Sequence, residues 1–236
     1  MRRGETAGTP ARAALYRGLH VLADDDPRWP RDPPAQAAAA CAGGAPVVQL
    51  RAKRTTDAQI LAWARAIREL TRASGARFVV NDRFDLALAA GADAVHLGQG
   101  DLPPSALPAV ARERLAVGRS THTLAQVRAA CREAVDYVAF GPVFGTDSKQ
   151  SEYAERGLDM LSEADELAAP LPLIAIGGIA ADNLAKIIAA GATGAAVISA
   201  VAGARDPEAA TRELLAHTGQ LSAARAPSSP QGREPR

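Results

Sequence analysis

Three polar residues, Gln49, Arg51 and Lys53, alternate along one short apolar run. On a strand such spacing puts all three on one face. Two cations on a buried face need an anion to compensate them, so the pattern points either to an anion-binding site or to a structural ion pair. Asp82 and Asp101 follow two later apolar runs. If those runs are neighbouring strands, the two carboxylates share one mouth. Hard oxygen donors of this kind suit Mg²⁺, usually held by one or two carboxylates together with substrate phosphates. The alternative for Asp82 is helix capping, because a helical pattern starts directly after it. Gly177-Gly178 and Ser199 each precede a helical segment, an arrangement fit for a phosphate, while either glycine alone also fits a tight turn. The segment 146–149 adds two hydroxyls, Thr146 and Ser148, and the ammonium of Lys149.

The histidines divide by context. His122 is an acid–base candidate by type, but Ser120, Thr121 and Thr123 around it also fit a structural hydrogen bond at a helix start. His96 sits inside an apolar run and reads as a satisfied core histidine. His20 and His217 show no partner in the sequence. Trp29 and Trp63 read as packing residues, and Cys41 and Cys131 as buried free thiols.

The elements that must position these residues alternate regularly. Apolar runs at 19–23, 47–50, 78–80, 94–97, 115–117, 137–140, 173–176 and 195–198 each precede a helical stretch, with the fourth helix a short one near 105–112. Near-continuous apolar strands are those buried on both faces. Thr56–Ala73 has the clearest helical period, through Ile60, Leu61, Ala64, Ile67 and Leu70, with Thr55 or Thr56 placed to cap it. Eight strand–helix units predict a single α/β domain, a (β/α)8 TIM barrel with parallel strands, in which chemistry belongs at the C-terminal ends of the strands. An open doubly wound sheet is the competing topology, but the first strand is not followed by GxGxxG. The expected organisation is a flexible tail over 1–12, the barrel over 13–219 and a second tail over 220–236.

Composition limits the partners. The 236 residues carry a net charge of +1 and are 47% hydrophobic, 22% charged and 4% aromatic. A nucleic-acid protein would show a basic domain, and no segment is apolar enough to span a membrane. The basic start is not followed by an apolar region, so a cytoplasmic protein is expected. The two cysteines form neither a disulfide framework nor a zinc motif. The sequence fixes no oligomeric state; a homo-oligomer is compatible with it.

Five segments, VVQLRAK, FVVNDRFDLALAAGADAVHLGQGDLP, VGRSTHTLAQV, FGPVFGTDSK and LIAIGGIAADNLAKIIAAGATGAAVISAV, resemble in order the motifs of the thiamine-phosphate synthase family. The resemblance spans roughly 15–216. It implies a (β/α)8 transferase that joins hydroxymethylpyrimidine diphosphate to the thiazole phosphate, releasing pyrophosphate. By motif position it implies that Gln49, Arg51, Lys53 and Asn81 bind the pyrimidine diphosphate. Asp82 and Asp101 would hold Mg²⁺. Ser120 would contact the diphosphate or pyrimidine, and Lys149 would close over the leaving pyrophosphate. Thr146, Ser148, Gly178, Ile198 and Ser199 would bind the thiazole phosphate. The reaction implied is dissociative and needs no protein nucleophile. Ala52, Gly100, Gly145 and Ser148 depart from the family's usual residues, and Phe140 stands where glycine is frequent and is expected to narrow the mouth. Two other readings are a thiazole tautomerase of the same fold, using His122, and a non-catalytic phosphate-ligand-binding barrel. The full set Gln49, Lys53, Asp82, Asp101 and Lys149 favours the synthase.

Overall fold

The computed structural model describes residues 10–145 and 153–224, with side chains through 217. Eight parallel strands close into a barrel in chain order. They are β1 (Gly18–Asp24), β2 (Val47–Arg51), β3 (Arg77–Asn81), β4 (Ala94–Leu97), β5 (Ala116–Thr121), β6 (Tyr137–Phe140), β7 (Leu173–Ile176) and β8 (Gly194–Val197). The helices are α1 (Pro10–Ala14), α2 (Pro33–Ala42), α3 (Asp57–Ser74), α4 (Phe84–Ala90), α5 (Ala109–Arg114), α6 (Leu124–Ala130), α7 (Gly157–Ala168), α8 (Ala181–Ala189), α9 (Ser199–Ala202) and α10 (Pro207–Ala224). A 3₁₀ turn at Pro104–Ala106 precedes α5, so the short fourth helix expected near 105–112 is split in two.

Strand alternation sorts the apolar residues into two layers. Leu19, Val21, Val48, Phe78, Val95 and Val138 pack outward against the helices. Leu22, Val47, Val79, Tyr137, Ile174 and Ala196 fill the barrel interior. The main core is thus a shell between strands and helices, made of small and branched side chains. Phe140 belongs to the outer shell and is fully buried there. The expectation that it narrows the mouth is therefore incorrect: Tyr137 and Ala139 take the inward positions of β6, and Phe140 must point the other way.

Local chemistry sets the element ends. Thr56 caps α3 by accepting from the Gln59 amide at 3.3 Å, and Asp32 caps α2 by accepting from Ala35 at 3.0 Å. Helix α3 buries Ile60, Ala64 and Ile67 of the stripe its period predicts, while Leu61 and Leu70 are half-buried at its edges. Helical structure extends into both stretches expected as tails: α1 starts at Pro10, and α10 continues to Ala224. Below the barrel, the Arg12 guanidinium of α1 pairs with the buried Asp136 carboxylate at 3.1 Å. Cys41 and Cys131 are free but half-buried rather than fully buried. Among the described residues no helix is long and apolar enough to cross a membrane.

Candidate active site

The C-terminal strand ends gather the polar residues in two groups. The first lies across β2 to β5. Parallel register aligns Leu22 with Gln49 and Asp24 with Arg51, then Gln49 with Val79, and Asn81 with His96. Gln49 and Arg51 both point inward near the top of the barrel. Gln49 is buried, and its amide has no hydrogen bond among the described residues. Lys53 is not on the strand as its spacing suggested: β2 ends at Arg51, and Lys53 sits in the following bend.

Both cations have protein partners. Arg51 Nη1 bonds the Asp24 carboxylate, which is fully buried, and Lys53 Nζ bonds Asp82. The ion-pair reading is thus realised, but it does not use up the donors. Arg51 spends one nitrogen on Asp24, and its other N–H groups have no bond among the described residues. Asp24 is itself fixed: its Oδ1 accepts from Trp29 Nε1 at 2.9 Å and from the Asp26 amide at 3.0 Å. The Gln36 side chain bonds both its backbone N–H and its carbonyl at 2.9 Å. A pre-paid arginine with spare N–H groups is a rigid fork for an anion.

Asp82 has φ 64, the only positive φ outside glycine among the described residues. Such a backbone costs energy for a side-chain-bearing residue and clusters at functional sites. The capping alternative is not realised. The N-cap of α4 is Arg83, and no side chain caps that helix. Burial pushes the Asp82 carboxyl above the usual carboxylate range; the Lys53 ammonium pulls it down, and the adjacent Asp101 carboxylate pushes it further up. Asp101 Oδ2 accepts from the Gly98 amide at 2.6 Å. Two carboxylates held side by side against their own repulsion, one on a strained backbone, supply the hard oxygen donors that Mg²⁺ takes. The residues present therefore fit Mg²⁺.

Ser120 and Gln99 complete this half. Ser120 Oγ lies 2.8 Å from His96 Nε2, and Gln99 Nε2 donates to the Ser120 carbonyl at 2.6 Å. His122 takes its structural role: Nδ1 lies 2.6 Å from the Gly141 carbonyl, and the ring stacks on Tyr153 at 4.2 Å.

The second group lies across β6 to β8. The connection leaving β6 docks on the end of β7, with Val143 donating to the Ile176 carbonyl at 2.8 Å and Phe144 to the Gly177 carbonyl at 3.1 Å. Gly178 has φ +61, and a Cβ there would stand 2.5 Å from the Gly145 carbonyl oxygen. Asn183 of α8 donates to the Gly178 carbonyl at 2.8 Å, holding the turn. Ile198 is buried at the end of β8, and Ser199 is the exposed first residue of α9. Thr146, Ser148 and Lys149 lie outside the described residues.

Sequence reasoning missed several supports. Asp24, Gln36 and Trp29 hold Arg51, and Trp29 does more than pack. The run Asp24-Asp25-Asp26 at the end of the first strand was the available signal, though it does not say which cation Asp24 meets. His20, seen without a partner, bonds the Tyr16 carbonyl through Nε2 at 2.7 Å.

Fold and site together define a (β/α)8 barrel whose mouth sets an anion-binding fork and a carboxylate couple across from the tight glycine turn after β7, the layout of an enzyme for phosphorylated substrates. A family model described as thiamine monophosphate synthase matches residues 19–201. A thiamine-phosphate synthase of Methanoculleus marisnigri is 47% identical over 196 residues, covering 83% of this chain and 92% of that protein. That of Anaeromyxobacter dehalogenans is 45% identical over 213 residues, covering 90% and 92%. The solved structure of thiamine phosphate pyrophosphorylase from Pyrococcus furiosus superposes with a TM-score of 0.77 at 35% identity, covering 89% of this chain and 98% of that one. This chain belongs to the thiamine-phosphate synthase family.

Proposed function

We propose that the protein couples hydroxymethylpyrimidine diphosphate to hydroxyethylthiazole phosphate, forming thiamine phosphate and pyrophosphate. The observation that carries this is the junction of the Arg51–Asp24 fork with the Lys53–Asp82–Asp101 cluster on adjacent strand ends. Arg51, Lys53, Gln49 and Asn81 would bind the diphosphate, Asp82 and Asp101 would hold Mg²⁺, and the Ser120 hydroxyl would donate to the diphosphate or the pyrimidine. When bound, Mg²⁺ supplies positive charge to the diphosphate oxygens. Across the mouth, Gly178, Ile198 and Ser199, with Thr146 and Ser148, would seat the thiazole phosphate, and Lys149 would cover the leaving pyrophosphate.

Chemistry then needs charge and orientation rather than a nucleophile. The C–O bond to the diphosphate breaks, and its electron pair leaves with pyrophosphate. The pyrimidinylmethyl cation left behind is stabilised by its ring, and the thiazole nitrogen donates its lone pair to that carbon. Fixed cations at the leaving group cost no reorganisation at that moment, and two substrates held in register gain the advantage of proximity. We place the reaction in the cytoplasm, the compartment expected from the sequence.

The Asp101→Asn enzyme tests the metal assignment. We expect a turnover loss of about 10²-fold or more, the scale of removing one electrostatic stabiliser, with the Mg²⁺ requirement shifted to higher concentration. Unchanged turnover and unchanged Mg²⁺ dependence would remove Asp101 from the metal site.

A further inference from the structure

We infer that His96 is a positioning residue whose Nε2–H, fixed by Tyr137, aims the Ser120 proton at the pyrimidine diphosphate. The inference rests on the reading of Ser120 as a substrate donor. His96 occupies the inward face of β4, in register with Asn81 of β3 and Gly118 of β5. Its ring bridges two hydroxyls: Nδ1 lies 3.1 Å from Tyr137 Oη, and Nε2 lies 2.8 Å from Ser120 Oγ. Tyr137 comes from the deep end of β6, fully buried, and stacks on Tyr16 at 5.2 Å and on His96 at 5.5 Å. A chain of three groups therefore runs from the barrel floor to the mouth.

The direction of the chain follows from its buried end. A phenol proton sealed from water needs an acceptor, and leaving it without one costs on the order of 1–3 kcal/mol. His96 Nδ1 is the acceptor available to Tyr137 among the described residues. Tyr137 therefore donates to Nδ1. A neutral imidazole that accepts at Nδ1 carries its proton on Nε2. Nε2–H then donates to Ser120 Oγ. The serine oxygen is held as an acceptor, and its own proton remains for a third group. The opposite direction would strand the Tyr137 proton and spend the Ser120 proton on the ring. In a mouth built for a diphosphate, a hydroxyl with an uncommitted proton is a donor to an anionic or ring acceptor of the substrate.

The neighbouring strand makes room for this. A Cβ at Gly118 would stand 2.4 Å from Tyr137 Oη and 2.6 Å from His96 Nδ1. Any side chain there would occupy the space of the Tyr137–His96 bond. Glycine at 118 is thus a packing requirement of the relay, distinct from any turn.

Three measurements test the inference. In wild-type protein labelled with ¹⁵N-histidine, the His96 imidazole should show a protonated Nε2 and an unprotonated Nδ1. The reverse tautomer would overturn the proposal, and this needs no mutation. The Tyr137→Phe variant removes only the hydroxyl. It should lower kcat about 5-fold, the equivalent of one hydrogen bond, but change kcat by less than about 2-fold in a Ser120→Ala background. Equal losses in both backgrounds, or no loss in either, would show that Tyr137 does not act through Ser120. His96→Gln, whose amide can still donate to Ser120, should retain more turnover than His96→Ala. If wild type forms no thiamine phosphate, the functional reading itself fails; if wild type is active and the two Tyr137→Phe losses are equal, only this inference fails.

Discussion

Asp82 is stationed against its own preferences. Its backbone is left-handed, its carboxyl is partly buried, and Asp101 stands beside it. Burial is the largest influence and raises its pKa. The folded protein therefore holds this proton to a higher pH than the unfolded chain does. Stability from the group is complete below the unfolded pKa and is lost as pH rises through the folded one. The ionised form of Asp82 is therefore a net cost to folding, softened by Lys53. Asn carries no charge and tolerates positive φ. We therefore predict that Asp82→Asn raises the melting temperature at pH 7 by at most a few degrees, since solvent still screens the site, while turnover falls about 10²-fold. A lower melting temperature would contradict the account of strain and burial. The carboxylate couple was legible because Asp82 and Asp101 each follow an apolar run. Asp24 was not, because only the register of β1 against β2 places it opposite Arg51.

At the scale of elements, two connections share one contact. The chain after β6 lies on the turn after β7 so closely that Gly178 admits no side chain. Gly178→Ala must move the backbone at Gly145 or abandon the left-handed turn. We predict a stability loss of about 1–3 kcal/mol, the usual cost of overpacking, together with a raised KM for thiazole phosphate and little change in KM for the pyrimidine diphosphate. Steady-state kinetics with each substrate varied in turn would check this; equal effects on both would argue against two separate halves of the mouth. Strands were readable as continuous apolar runs and the long helix α3 from its hydrophobic period. Helix α9 was not, since four residues are too few to show a period. Helix α10 outran its expected end because extending a formed helix is cheap, and even Gly219 costs only about 1 kcal/mol there.

At the scale of the whole molecule, the barrel floor carries an acid-sensitive group. Burial lowers the His20 pKa from 6.5 to about 4, partly opposed by its bond to the Tyr16 carbonyl. The unfolded chain takes up this proton near pH 6.5 and the folded barrel does not. The stability that neutral His20 contributes is therefore full above the unfolded pKa and is lost as pH falls through the interval down to about 4. Between pH 7 and pH 5 the loss should be about 2 kcal/mol by urea denaturation, and His20→Gln should flatten that slope. An equal slope in the variant would assign acid sensitivity elsewhere. The net charge of +1 conceals this internal order: a cationic fork and a carboxylate couple face one mouth, and the Arg12–Asp136 pair ties the floor. The coupling itself is measured by incubating the protein with hydroxymethylpyrimidine diphosphate and hydroxyethylthiazole phosphate, with and without Mg²⁺, following thiamine phosphate and pyrophosphate together. Both products should form in equal amounts and only with Mg²⁺. Failure to form thiamine phosphate with Mg²⁺ present, or formation at the same rate without it, would contradict the proposed coupling.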